Sequence, residues 1–496
     1  MNNLKRYKLS SSIEDNIKLI KDIFKNDDTI KFRRFQNQYN QDIKCLIVFI
    51  NGMADNYLIT ENIIKPITIN TMECLEKSPI DYLQSQIILS SECEKTNNVL
   101  DIINSIIDGD TVLFLEGSDE VITIESKGWK TRDIQEPDVE RVVRGPREGF
   151  NESIIINLSL IRRKLRTNNL KFKFMDLGEI TYTKLCVCYI EGLAREDVLN
   201  NLYEQLNNIK TDGILDAKYI QEYISKEPYS VFEITYTTEK PDVAVAKLLE
   251  GRIVVIIDGT PVAITLPFLF IETFQSADDY YLNYYYASLN RILRIIGFFL
   301  TISIPAIYLS LVTYNQEMVP TPLIMSIYAS RLDVPLPTVF ELIGLLLVFE
   351  ILREAGTRMP SYIGQALSIV GALVLGSAAV DAKFVSAPIV IVVGMSGITS
   401  LITPTLGGAT IIIKIGLILL SSILGLYGYV IGMSFLLLHL LKLKSFGIPY
   451  MTNLATFTLQ DLKDTGVRAP RWYMKYRPKH IAKKNPIRSS GGKNRE

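Results

Sequence analysis

The sequence predicts an α/β protein joined to a membrane α-helical one: duplicated cytoplasmic α/β domains followed by a polytopic helical transmembrane domain. Three observations carry that expectation. The chain is polar up to Arg291 and Arg294 and turns apolar from there to Leu441. Within the apolar part, residues 292–314, 362–380, 384–402 and 409–441 each approach or exceed the ~20 apolar residues that cross a bilayer as a helix. In the polar part, two motifs recur at nearly one offset, the mark of a repeated unit.

The chain has 496 residues with 53 basic and 53 acidic groups, so no net charge steers it toward nucleic acid. Its N-terminus, MNNLKRYKLSSSIEDNIKLI, lacks the apolar core and small-residue cleavage site of a signal peptide, which places the polar part in the cytoplasm. With only His439 and His480, a Ser/His or Cys/His catalytic arrangement has almost no material. Cys45, Cys74, Cys93, Cys186 and Cys188 show no metal-ligand spacing and read as buried apolar thiols. No enzyme activity, metal or cofactor is expected.

Residues 1–40 form an N-terminal helix and extension. Ile13, Ile17, Ile20 and Phe24 follow helical spacing behind Ser11 and Ser12, an amphipathic helix that docks on the domain or on a neighbouring subunit. Residues 41–127 and 181–270 are the two α/β subdomains. CLIVFINGMAD resembles CVCYIEGLARED, aligning Ile50, Gly52 and Ala54 with Ile190, Gly192 and Ala194. GDTVLFLEGSDEVIT likewise parallels GRIVVIIDGTPVAIT. The offsets are 140 residues between Gly52 and Gly192 and 142 between Gly117 and Gly259. Glu116-Gly117 and Asp258-Gly259 read as hairpin turns, because the glycines supply φ > 0 and no phosphate-loop motif surrounds them. Between the copies, residues 128–180 form a basic linker and helix, with Arg141, Arg144, Arg147, Arg162, Arg163 and Arg166 beside Glu136, Glu140, Glu148 and Glu152. Surface ion pairs, a subunit contact and a contact with anionic lipid all suit that pattern.

Residues 271–291 form an interfacial aromatic helix: Tyr280, Tyr281, Tyr284, Tyr285 and Tyr286 beside Arg291 suit a helix leaving the cytoplasmic interface. Residues 292–441 are the transmembrane domain of four to six helices. Its first span contains Pro305 and is followed by a nearly uncharged loop over 315–337. The next segment carries Glu341, Glu350, Arg353, Glu354 and Arg358. Ionisable groups at membrane depth are costly unless paired or wetted, so they are candidates for charge attraction or gating. Glu350 faces Arg353 and Glu354 at helical spacing, which builds an ion-pair cluster or a boundary anchor. Ser361, Gln365, Ser368, Ala372 and Gly376 form a small or polar stripe that suits close helix packing or an aqueous pore lining. The run 409–441 is too long for one untilted span, and 425–432 is where it breaks. Residues 442–496 are a basic tail expected on the cytoplasmic side with the N-terminus.

Four stretches carry a family resemblance: EPDVERVVRGPREGFNESIIINLSLIRRKLR, GRIVVIIDGTPVAITLPFLFIETFQSADDYYLNYYYASLNRILR, FEILREAGTRMP and IGQALSIVGALVLGSAAV. Through these the chain resembles the A subunit of GerA-type spore germinant receptors of Firmicutes, from about residue 40 to about residue 470. The resemblance implies a multi-pass protein of the spore inner membrane that acts with a transporter-like, nutrient-binding B subunit and a lipoprotein C subunit. It also implies a homo-oligomer, a pentamer, that forms a nutrient-gated cation channel. In that setting Gln365, Ser368 and Ala372 move toward pore lining, and Arg144, Gly145, Pro146, Arg147, Glu148, Gly149 and Phe150 become an inter-subunit clasp. The alternatives are an accessory protein for dipicolinic acid release and a secondary transporter that uses Glu341 as coupling carboxylate.

Overall fold

The computed structural model of the protein describes residues 7–71, 78–90, 92–128, 140, 144–358, 376–452, 464–478, 480–482 and 486–488. Its polar part contains two five-stranded sheets. The first holds β1 (Ile30–Gln36), β2 (Lys44–Ile50), β3 (Cys93–Thr96), β4 (Thr111–Leu115) and β5 (Val121–Ile124), in the order β1-β2-β4-β5-β3. The second holds β6 (Leu170–Leu177), β7 (Thr183–Ile190), β8 (Tyr236–Thr238), β9 (Ile253–Ile257) and β10 (Ala263–Leu266), in the order β6-β7-β9-β10-β8. Strand order is therefore repeated, and every neighbouring pair in both sheets is antiparallel. The opening strands β1 and β6 lie ahead of the ranges spanned by the matched motifs.

Central strands here read as continuous apolar runs because helices cover both faces of each sheet. In β2, Leu46, Val48 and Ile50 pack under α1 (Ile13–Ile23) and α2 (Val99–Asp108), while Cys45 and Ile47 pack on the opposite face under helical residues 56–69 and 79–87. In the second unit, α3 (Ile154–Lys164) and α6 (Pro241–Leu249) cover one face. The other face, under α4 (Glu196–Asn207) and α5 (Ala217–Tyr223), shares one continuous apolar core with the helices that follow.

The hairpin carboxylates have a role beyond turning the chain. Glu116 Oε2 accepts the N–H of Ile13 at 3.1 Å, and Asp258 Oδ1 accepts that of Ile154 at 3.0 Å, so each turn supplies the acceptor for the first turn of the helix that opens its unit. The glycine N–H completes the clamp, from Gly117 to Ser11 O and from Gly259 to Glu152 O. Gly117 and Gly259 sit at φ 85° and 88°, where a Cβ is strained. The N-terminal helix thus docks on its own sheet.

Arg162, read from sequence as part of a solvated or contact face, is fully buried between the two units. It pairs with Asp27 and Thr29, and its guanidinium lies 4.5 Å above the Phe172 ring. Beside it, Asp28 bridges to β6 by accepting the Phe174 N–H at 2.9 Å. The units approach so closely that a Cβ on Gly52 would lie 2.4 Å from Ile155 Cγ2.

The apolar part contains α7 (Tyr284–Thr313), α8 (Thr321–Arg331), α9 (Thr338–Arg358), a helical stretch at 376–381, α10 (Ala387–Ser400), α11 (Gly407–Leu424) and α12 (Leu426–Lys442). Among the described residues, two helices are long and apolar enough to cross a membrane, Tyr284–Thr313 and Pro404–Leu424; α10 and α12 are shorter apolar helices. The region expected as a loop over 315–337 contains α8, since a proline early in its first turn starts a breaker-free run. Gly425, at φ 62° and ψ −140°, divides the long run into α11 and α12. A Cβ on Gly428 would lie 2.1 Å from Leu420 O and one on Gly432 2.6 Å from Leu417 Cδ2, so the two helices fold back as a hairpin in backbone contact.

Two outcomes follow from this packing. Asp27→Ala leaves the Arg162 charge buried and uncompensated and should cost about 3–5 kcal/mol, whereas Asp27→Leu with Arg162→Met should cost much less; urea unfolding of the detergent-solubilised chain measures both. Asp258→Ala removes only a helix-start acceptor and should cost about 1 kcal/mol in the same assay.

Candidate functional site

The most densely connected polar site lies where the second unit meets α7. After β10 the chain makes two short 3-10 turns, Phe270–Phe274 and Ala277–Tyr280, and the second is closed by a capping box between Ser276 and Asp279. Asn283 then caps α7 by accepting the Tyr285 N–H at 3.0 Å. Arg291 and Arg294, three residues apart, present both guanidiniums on one face of α7. Both reach Asp279: Arg291 Nε lies 2.8 Å from Oδ2, and Arg294 Nη1 lies 3.0 and 2.9 Å from Oδ1 and Oδ2. Asp279 and Arg291 are fully buried.

Two guanidiniums on one carboxylate leave a positive excess, and a residue from far along the chain offsets it. Asp464 Oδ1 accepts from Arg291 Nη1 at 2.8 Å and Oδ2 accepts from the Tyr280 hydroxyl at 2.9 Å, while Gln275 Nε2 donates to the Asp464 carbonyl at 2.6 Å. Burial pushes the Asp464 carboxyl above the ordinary range, and Arg291 pulls it back down. Arg468 holds the carbonyls of Leu282 and Tyr280, at 3.0 and 3.3 Å. Arg291, Arg468 and Arg471 all lie within 6 Å of the Tyr280 ring centre, at 5.4, 5.8 and 5.5 Å. Tyr280 and Tyr281, expected at a membrane interface, therefore face the platform; Tyr281 donates to Asp242, while Tyr285 and Tyr286 are exposed.

A second ion network backs the joint. Glu272 accepts from Lys247 at 2.6 Å and from Arg252, and Glu250 takes Arg252 at 3.2 Å and Arg488 at 3.6 Å. Those cations more than offset burial, holding the Glu250 carboxyl below the ordinary range. Between the two networks lies a cavity of about 250 Å³, lined in part by Asp242, Lys247, Glu272, Gln275 and Tyr281. The tail, expected only as a basic extension, is built into the second unit. Lys444–Ser445 pairs with Ile448–Pro449, the Tyr450 hydroxyl donates to Glu233 O, Arg195 holds His480 O, and Ile481 and Ala482 are buried.

In the helical region, Glu341 is buried, accepts the Ser386 N–H at 2.9 Å and stands 3.7 Å from Arg331. Glu350 pairs with Arg353 at 2.7 Å and with buried Lys414 of α11 at 3.4 Å. Glu354 instead pairs with Arg358 at 2.6 Å, so the expected cluster divides in two. Lys414 was missed by the sequence reading; a lone lysine inside IIIKIGLILL is the signal that marks it. Ser361, Gln365, Ser368 and Ala372 lie outside the described residues, and a Cβ on Gly376 would meet Val390 of α10 in ordinary contact at 3.6 Å. In the RGPREGF segment, Pro146 O accepts from Lys240 Nζ at 2.6 Å, Phe150 N–H donates to Glu239 O at 2.7 Å, and Glu148 takes Lys164 at 2.8 Å. Gly149 and Phe150 are buried; Arg144, Gly145 and Arg147 are exposed, with Gly145 at φ 125° against the Tyr281 ring.

Comparison with known proteins gives a consistent result. The family model of the Bacillus/Clostridium GerA spore germination protein matches residues 18–480. Spore germination protein KA of Bacillus subtilis (strain 168) is 37% identical over 483 residues, covering 97% of this chain and 88% of that protein. Spore germination protein B1 of the same organism is 33% identical over 472 residues, covering 95% and 97%. Among solved structures, the N-terminal domain of the A subunit of the Bacillus megaterium spore germinant receptor GerK3 matches 53% of this chain and 98% of its own, with 27% identity and a TM-score of 0.40. The chain belongs to the GerA family of spore germination proteins.

Proposed function

We propose that this protein is the A subunit of a nutrient germinant receptor in the spore inner membrane. Its helical region crosses that membrane several times with both termini cytoplasmic, and its copies assemble, as a pentamer, into a nutrient-gated cation channel. It works with a transporter-like B subunit, which binds the nutrient, and a lipoprotein C subunit. The observation that carries this reading is the joint. Asp279 of the platform grips Arg291 and Arg294 at the start of the 30-residue helix α7, so displacement of the platform is transmitted to an apolar helix. A stiff ionic link of that kind suits a receptor subunit that passes a signal from one region to another.

Glu341 and Glu350, each beside a cation from another helix, suit roles in cation attraction or in holding the closed arrangement. The stripe of Ser361, Gln365, Ser368, Ala372 and Gly376 is the pore-lining candidate under this reading. The exposed Arg144, Gly145 and Arg147 are the part of the RGPREGF segment open to a neighbouring copy.

Cation flux into vesicles that contain the chain with its B and C subunits tests the reading. Nutrient should raise flux, and Ala372→Leu or Ser368→Ala should alter it without loss of assembly. A correctly assembled receptor that passes no cation under any nutrient overturns the channel, and saturable substrate uptake abolished by Glu341→Gln establishes the transporter alternative instead. At the joint, Asp279→Asn leaves buried Arg291 and partly buried Arg294 with less than their charge offset, a loss of about 3–5 kcal/mol. Spores carrying it should fail to respond to nutrient, as read by the loss of optical density in a germination assay.

A further inference from the structure

We propose that the C-terminal segment bearing Arg471, Trp472, Tyr473 and Lys475 is a membrane-surface collar that docks on anionic lipid headgroups beside α7. The proposal rests on the reading that α7 crosses a bilayer. Its geometry comes from the tail, which returns to the first turns of that helix. Arg468 N–H donates to Ser288 Oγ at 3.0 Å, and the Trp472 ring meets Tyr284 edge to face with centres 6.1 Å apart. Those contacts hold the aromatic groups of the tail at the level where α7 leaves the platform.

What they hold there is unusually exposed. Trp472 and Tyr473 are 60% and 57% exposed, next to Tyr285 at 71% and Tyr286 at 55%. This aromatic patch continues along α7 into Leu289, Ile292, Leu293, Ile296 and Phe299, all exposed, whose spacing of three and four residues makes one apolar stripe. Amphipathic rings at the end of a lipid-facing stripe are the pattern of a membrane interface, where one edge of the ring is apolar and the other wet.

Charge selects the lipid. Residues 465–488 contain eight Lys or Arg and no acid. Arg468 and Arg488 are spent inside, on backbone carbonyls and on Glu250. Among the described residues Lys475 is exposed and forms no ion pair, and Arg471 is exposed with its guanidinium over the Tyr280 ring. Basic groups clustered next to a membrane helix are drawn to anionic headgroups. Because the same segment carries Asp464 onto Arg291, its grip on the surface also sets the height of the joint.

The protein has two tryptophans, Trp129 and Trp472, so Trp129→Phe leaves Trp472 as the sole reporter. In full-length protein reconstituted into phosphatidylglycerol-rich vesicles, lipid brominated near the headgroup should quench Trp472 and shield it from acrylamide. Quenching should fall on exchange to phosphatidylcholine, and again with Lys475→Glu. Equal quenching in both lipids overturns the anionic preference. Accessibility to acrylamide with no lipid quenching overturns the collar, and protection from both quenchers assigns the patch to a protein partner and overturns it too. A reference chain with both tryptophans replaced by Phe and with Phe299→Trp reports on α7 itself. If deep-brominated lipid quenches this reference while Trp472 stays unquenched, the collar fails and the crossing stands; if the reference is also unquenched, the crossing fails and takes the collar with it.

Discussion

A buried carboxylate that serves two guanidiniums is a demanding arrangement. Asp279 and Arg291 have no solvent access, so each charge has lost its hydration and must recover the loss from partners in nearly ideal geometry. One carboxylate cannot offset two guanidiniums, and the residual charge is what brings Asp464 to Arg291 from far along the chain. Three segments thereby become interdependent: the 3-10 turns that follow the second sheet, the first turns of α7, and the tail. Moving any one of them breaks an ion pair in a low dielectric, where partial pairing is worse than none. The tail is consequently a structural member of the joint rather than an appendage.

The platform behind the joint is stiff for a related reason. Each unit closes on itself through the same device, a carboxylate-glycine turn that accepts from the opening N–H of its helix and donates to the carbonyl two residues ahead of it. The two units are then locked together by Arg162, whose charge is met by Asp27 and whose flat face lies on Phe172. In the helical region the same rule holds on a smaller scale: buried Glu341 and Lys414 each have an oppositely charged group of another helix beside them.

Much of the fold was legible in residues. The recurrence of Gly52 at Gly192 and Gly117 at Gly259 points to a unit used twice, because positive φ tolerates little but glycine. A break within 425–432 was legible because the apolar run is too long for one untilted span, and it falls at Gly425. The opening strands β1 and β6 were harder to see, since edge strands such as IKFRRFQ carry charges on their open side and read as polar linker. Helix α8 was hidden by its prolines, which mark a loop as readily as a helix start.

Local chemistry determined what this chain could be by itself: apolar runs long enough for a bilayer, glycine turns, and a family signature spread over nearly its whole length. Period and composition are enough for those, because they depend only on neighbouring residues. Partnership was decided by the tertiary structure alone. Arg162 and Arg291 look like other surface arginines in the sequence, and Asp27 and Asp464 like other surface aspartates. They become buried pairs because packing removes water from both members at once, a condition set by residues up to 173 positions apart.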